Sequence, residues 1–490
     1  MRGLRAWVCV AAVLATRGLA AAALGTAALA ILAASHASAT DTGDLQFPPT
    51  KEVTLPNGAK LILAEKHDVP LIGVIAYLRG GSLTDPVAKE GVAELTAEML
   101  EKGAGKRSAQ EIAATVDGAG ASLDVGANYE NWWVSAEFLS RDQVLMVEML
   151  SDVLRHPTFP DSEFLKVKQQ SVDAIRSEKD SPYRVLSDYA RGYFYGANPY
   201  GRPLDGDETT VGALTRDDLI ATYKANFGGD RLILAVVGDF DTARMESALR
   251  TAFGDWAKAP GTLPSVPAVE RRTGRRVLLV DKPDAKQTYF WMGNLGQSRT
   301  DPDRVPVDVA NTYFGGRYTS LLNSALRIRT GLTYDARTVI PRYTVPGYVA
   351  IVSYTKTEST QRAIDLALET LTSFRRTGLD STALSSVQHY IAGLYPTTLE
   401  TEDQIAGRLA LLALYRLPAT EATQYVGRVR AVERKRLNDL ASRFYPDPKD
   451  LTIVMIGNAA TIRSVARRYG PVSEITIDKP LISALRTASK

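Results

Sequence analysis

Glu94 and Glu98 lie four residues apart in a stretch of helical character, with Lys102 four further on; much later, Arg327 and Tyr334 stand seven apart beyond a Gly315-Gly316 pair. Carboxylates at the first spacing share one helix face, where they either contribute to a hard-cation site or form a charged stripe. Two carboxylates are few for calcium, and Glu98 followed by Lys102 is the favourable order for a helical ion pair, so the residues alone favour the stripe. At the second place an arginine offers a fork of donors to a peptide carbonyl or carboxylate, and a tyrosine hydroxyl can donate to an oxyanion. Bare backbone at Gly315 and Gly316 can approach an extended peptide closely, or can equally form a turn. Arg329 competes with Arg327 from a different helix face.

Other chemistries lack their residues. The body holds three histidines, His67, His156 and His389, and none has a second histidine at the spacing that lets two imidazoles share a metal. All three read as loop or surface residues. No GxSxG elbow and no phosphate-binding glycine loop occurs. Cys9 is the single cysteine, so the body has no thiol for catalysis or for a disulfide.

The elements that must position these residues follow one plan used twice. Val53-Thr54-Leu55, a turn at Asn57-Gly58, Leu61 to Ala64 and then Leu71 to Tyr77 predict a hairpin leading into a further strand. The second half restarts with Arg276 to Val280 and Thr288 to Met292. Each half ends on an apolar run closed by glycine, Leu232 to Gly238 and Leu451 to Gly457, and each run is preceded by an amphipathic stretch. A tandem duplication with its join in the Pro-containing segment from Ala259 is the economical explanation. Strands alternating with long helical patterns make the class α/β, or α+β, in two similar tandem halves. Trp132-Trp133 sits in a strand-like stretch, so at least one indole faces a core.

With 490 residues, 45% hydrophobic and 23% charged, the chain has ample material for two large cores. Its formal charge of +3 is matched by Arg2, Arg5 and Arg17 at the front, leaving a neutral body with no reason to seek nucleic acid or an anionic membrane. That front reads as an export signal: arginines, a long Ala/Leu/Val run, and Ala37-Ser38-Ala39 as a cleavage site. The apolar stretch from Leu19 to Ala34 is short of the roughly 20 residues a spanning helix needs, so cleavage is expected rather than retention as an anchor. The expected divisions are residues 1–39 as signal peptide, 40–258 as first half, 259–272 as linker and 273–490 as second half, in an exported, periplasmic protein.

The segment Gly80-Gly81-Ser82 through Gly91-Val92-Ala93-Glu94-Leu95-Thr96-Ala97-Glu98 to Lys102-Gly103 resembles the pitrilysin/insulinase-like zinc peptidases, whose inverted zinc helix carries HxxEH. Laid on that motif, the ligand positions are Glu94 and Glu98, and the general-base position is Ala97. The family's third ligand precedes an Asp-x-Pro, and Asp180-Ser181-Pro182 puts that position on Ala174. Tyr195 to Pro203 is similar to the family's first-half ending, and Phe314 to Leu322, Leu326-Arg327 and Gly331-Leu332-Thr333-Tyr334 resemble the segment that faces the zinc. The resemblance implies that Arg327 and Tyr334 hold and polarise substrate, with Gly315 and Gly316 beside it, while the chain binds no metal of its own. It further implies a zinc-free subunit of a heterodimeric exported peptidase, acting on peptides beside a homologous HxxEH-bearing partner that carries the zinc. Mitochondrial processing peptidase is the familiar pair of this kind. The alternative is a non-enzymatic peptide-binding or scaffold protein of the same shape.

Overall fold

The computed structural model describes residues 47–488, and the expected signal peptide lies outside them. Residues 47 onward pack as one unit. The first half is built on a six-stranded sheet of β1 (Thr50–Thr54), β2 (Lys60–Glu65), β3 (Leu71–Arg79), β4 (Ser122–Ala127), β5 (Asn131–Leu139) and β6 (Leu232–Gly238), in the order β1-β2-β6-β3-β5-β4. The second half repeats it with β7 (Arg276–Asp281), β8 (Gln287–Leu295), β9 (Ala336–Val339), β10 (Tyr348–Lys356), β11 (Thr452–Gly457) and β12 (Val472–Thr476), in the order β9-β10-β8-β11-β7-β12.

Five strands correspond one to one. β2 runs parallel to β6 as β7 does to β11, and the remaining pairs of the five are antiparallel in both sheets. The sixth strand differs. β1 joins β2 through the Asn57-Gly58 turn as an antiparallel hairpin, whereas β12 arrives from the C-terminal end and lies parallel to β7. The two glycine-closed runs are the wholly buried strands β6 and β11, which explains why both read as continuous apolar segments rather than alternating ones.

Helices relevant to function are α1 (Val92–Glu98), α2 (Asp161–Glu178), α3 (Pro182–Tyr195), α4 (Arg304–Asn311) and α5 (Glu402–Leu414). The halves exchange two of them. α3 lays Val185, Leu186, Tyr189 and Phe194 on Leu278, Val280, Trp291, Val454 and Ile456 of the second sheet. In return α5 lies across β3 and β6 of the first sheet. Gly73 makes that docking possible: a Cβ there would stand 2.4 Å from the backbone nitrogen of Asp403. Lys66 closes the same seam with an ion pair to the buried Glu402 at 2.7 Å. Among the described residues no helix is long and apolar enough to cross a membrane.

Candidate functional site

Helix α1, which carries Glu94 and Glu98, is held at its start by a carboxylate from the preceding loop. Asp85 accepts the backbone N–H groups of Gly91 at 3.0 Å and Ala93 at 3.2 Å, satisfying donors that a helix start leaves free. Burial, the largest influence, pushes the Asp85 carboxyl well above the usual carboxylate range. Gly91 has φ of 94° and its missing Cβ leaves room for the carbonyl of Asp205, so the Gly-Val entry to the helix is a backbone requirement. From the other side the buried Trp132 donates its indole N–H to the carbonyl of Ala93 at 3.0 Å. Trp132 is therefore the core-facing indole of the expected pair.

Glu94 and Glu98 project from α1 into a half-buried space, which corrects the reading of a solvated stripe. The Glu94 carboxylate accepts the backbone N–H of Ala127, the last residue of edge strand β4, at 2.7 Å. Burial pushes its pKa up to about 7; the Ala127 hydrogen bond opposes this, and the charges of Asp205 and Glu98 add to it. Glu98 is also raised, first by burial and then by Asp205 and Glu101, against Lys102 and a hydrogen bond from Ser171. Asp205, which sequence reasoning did not single out, is raised to about 6 by burial and by Asp188 and Glu178. The expected Glu98–Lys102 pair does not form; Lys102 pairs with Glu101 at 2.6 Å. α1 ends at Glu98 and the chain tightens into a 3₁₀ turn over Met99–Glu101, which breaks the four-residue stacking the pair needs.

The other two family positions carry methyl groups. Ala97 is buried in the first half's core, and Ala174 lies on an exposed face of α2. The Asp180-Ser181-Pro182 signal falls where α2 gives way to α3, with Pro182 as the first residue of that helix. Zinc takes nitrogen or sulfur donors with carboxylates as a supplement. This donor set has two carboxylates and no imidazole, so it does not fit the ion, and among the described residues no group of three His, Cys, Asp or Glu side chains is arranged to hold a metal.

In the second half, the segment around the Arg/Tyr pair folds back on itself. Thr312–Gly316 and Ser324–Ile328 are both π-helical turns, a local widening that recurs at functional sites. Gly331, at φ 62°, donates its N–H to the carbonyl of Arg327 at 2.9 Å, and Leu332 donates to Leu326 at 2.8 Å, so the chain reverses and brings Tyr334 beside Arg327. The guanidinium of Arg327 lies over the rings of Tyr334, 4.1 Å from its centroid, and of Tyr318, at 4.8 Å. Tyr318 is 60% and Tyr334 70% exposed, with Ile328 beside them at 52%. Tyr334 is thus neither a strand residue nor a core residue. Tyr318 was missed in the sequence, although it sits in the same Gly-Gly-Arg-Tyr run. Gly315 is buried where a Cβ would stand 2.6 Å from the Thr338 hydroxyl of β9, and Gly316 is exposed. Arg329 is exposed on the next turn.

Comparison with known proteins agrees with this architecture. Residues 61–208 match the family described as Insulinase (Peptidase family M16), and residues 213–390 match the Peptidase M16 inactive domain. The chain is 23% identical over 404 residues to the zinc protease YmxG of Bacillus subtilis, covering 82% of this chain and 98% of that protein. It is 24% identical over 272 residues to mitochondrial-processing peptidase subunit beta of Rattus norvegicus, 55% of each. Among solved structures it superposes on a peptidase M16 inactive domain from Pseudomonas fluorescens with a TM-score of 0.78 at 22% identity, covering 84% of this chain and 98% of that one. The first half of the periplasmic protease PqqL of Escherichia coli gives 0.68 at 14% identity, covering 87% and 98%.

A duplicated sheet-and-helix fold matched by M16 domain models and superposing on an M16 inactive domain defines a peptidase-like protein of that type. The chain belongs to the insulinase/pitrilysin-like peptidase family M16.

Proposed function

We propose that this chain is the zinc-free subunit of an exported heterodimeric zinc peptidase, binding peptide substrate and presenting Arg327 and Tyr334 to the metal site of an HxxEH-bearing partner. The observation that carries the reading is the cluster of Arg327 with the exposed rings of Tyr318 and Tyr334. A half-buried guanidinium lying over two exposed rings contributes little to its own fold, yet its N–H groups can meet an incoming carbonyl or carboxylate. Its two tyrosines and Ile328 leave apolar surface that the other described residues do not cover. Gly316, exposed beside the stack, offers bare backbone to the same peptide, while Gly315 sets the approach of that turn to β9.

On this reading zinc resides in the partner, and Glu94, Ala97, Glu98 and Ala174 do no chemistry here. The signal is removed after Ala39, halves 40–258 and 273–490 are joined by the linker 259–272, and the mature pair works in the periplasm. Kinship with a protein named as a subunit of a processing peptidase, and likeness to half of a periplasmic protease, support the pairing and the compartment.

The test is isolation of the tagged mature chain from its native envelope, followed by peptide-cleavage assays on each separated component and on the recombined pair. A homologue carrying HxxEH should co-purify, and cleavage should need both chains. A chain that recovers no such homologue and binds extended peptides without cleaving them is instead a scaffold.

A further inference from the structure

A cavity of about 180 Å³ in the second half is unusually rich in arginine, with Arg299, Arg304, Arg342 and Arg408 facing only two carboxylates, Asp308 and Glu421. Two of the four are matched. Arg304 pairs with Glu421, which also takes Arg428, and Arg342 pairs with Asp308 at 2.6 Å. The other two are not. Among the described residues no carboxylate stands within ion-pair distance of Arg299 or Arg408, and the Nε of each is buried without a hydrogen-bond partner. Their guanidinium groups lie 5.1 Å from the ring centroid of Tyr415 and 5.9 Å from that of Tyr395.

Half-burying two unmatched cations beside each other costs free energy that the fold could have avoided with two neutral residues. Arg304 registers the crowding: its pKa is lowered first by desolvation and then by Arg428, with Arg342 and Arg408 adding to it against Asp308. The tyrosine hydroxyls in the wall are already spent, Tyr425 donating to Asp308 at 3.0 Å and Tyr395 to the carbonyl of Ala422 at 2.9 Å. Each arginine also reaches a tyrosine hydroxyl, Arg299 that of Tyr415 and Arg408 that of Tyr395, and its other N–H groups, the buried Nε among them, are the donors left for a ligand.

We propose that this cavity binds a phosphate group between Arg299 and Arg408, as inorganic phosphate or as the end of a phosphate monoester. Two guanidinium forks match the oxygens of a dianion in charge and in bidentate geometry, and the space suits one such group rather than a peptide chain. Arg408 is carried by α5, the helix that docks on the first half's sheet, and the charge of Arg299 is felt by Tyr77 on β3. A bound phosphate therefore bridges the second half's loop after β8 to the helix at the seam.

Calorimetric titration of the full mature chain with inorganic phosphate, and separately with phenyl phosphate, tests this at fixed ionic strength in chloride. One saturable site is expected, together with a rise in melting temperature. Binding of both ligands assigns the site to monoesters, and binding of phosphate alone assigns it to the free ion. Arg299→Gln and Arg408→Gln should each weaken binding by roughly 10-fold to 100-fold, the range for loss of a charge-assisted hydrogen bond. Slower hydrogen exchange in α5 on adding phosphate gives a readout in the unaltered chain should either variant fail to fold. No saturable heat with either ligand, affinity unchanged in both folded variants, or no exchange protection overturns the proposal. None of these readouts depends on peptide cleavage.

Discussion

Glu94, on α1, carries a carboxyl whose ionisation the fold opposes. Glu94 has a folded pKa of about 7 against an ordinary value near 4.5, because burial and the neighbouring Asp205 and Glu98 oppose its ionisation. The folded state holds this proton more tightly than the unfolded state. The stability it contributes is therefore fully present below about pH 4.5 and is lost as pH rises through about 7, on the order of 1–3 kcal/mol. Glu94→Gln keeps an acceptor for the Ala127 N–H and removes the charge. Urea unfolding of both proteins from pH 4.5 to 8 should give curves that meet at the acid end and separate above it, with the variant more stable. Curves separated by a constant amount would assign the group an ordinary pKa. At the Arg327 stack, Tyr334→Phe removes a hydroxyl while keeping the ring over the guanidinium. If that hydroxyl meets the oxyanion at the partner's zinc, turnover of the recombined pair should fall by roughly 10² to 10³ with assembly unchanged on gel filtration. Arg327→Ala should raise KM as well as lower kcat, since it positions substrate already in the ground state. Wild-type cleavage by both variants, once assembled, removes the role in trans.

At the scale of elements, the close approach of α5 to β3 through Gly73 gives the sharpest expectation. A methyl group there would collide with the backbone of Glu402 and Asp403, neither of which has a flexible end to move aside. Gly73→Ala should cost on the order of 1–3 kcal/mol or more, seen as a lower denaturation midpoint, with Gly393→Ala, where a Cβ meets open space, as comparison. A midpoint equal to that of the unaltered chain would mean that the helix docks elsewhere. Nothing in the sequence near Gly73 signals this contact, because its partner lies more than 300 residues away. What was legible was local: alternation and turn residues gave β1, β2 and β3, and the paired Gly-closed runs gave β6 and β11. The assignment of Glu94, Ala97, Glu98 and Ala174 to the family's ligand and base positions rests on a resemblance, in which each position has fixed neighbours. Their surroundings were not legible: the half-buried carboxylates, the part played by Asp205 and the switch of Lys102 to Glu101 depend on where α1 ends and what folds over it. Arg299 and Arg408 were invisible for the same reason, as isolated arginines look alike until the fold shows which of them have partners.

For the whole molecule, the exchange of helices decides how the two halves behave as bodies. Each sheet uses a helix of the other half to cover a face that would otherwise be apolar and wet: α3 buries Leu278, Val280, Trp291, Val454 and Ile456, and α5 covers β3 and β6. A duplicated chain joined only by a linker would unfold in two steps, one for each core. Here the loss of either core strips the other of its cover, so the cost of separating the halves is added to the cost of unfolding one of them. Residues 40–490 should therefore melt in a single calorimetric transition whose van't Hoff and calorimetric enthalpies agree, despite their number. Fragments 40–258 and 273–490 expressed separately should be insoluble or should bind a hydrophobic dye, and should recover native circular dichroism when refolded together. Two resolved transitions, or a soluble first-half fragment with a native-like melt, would mean that the exchanged helices are dispensable.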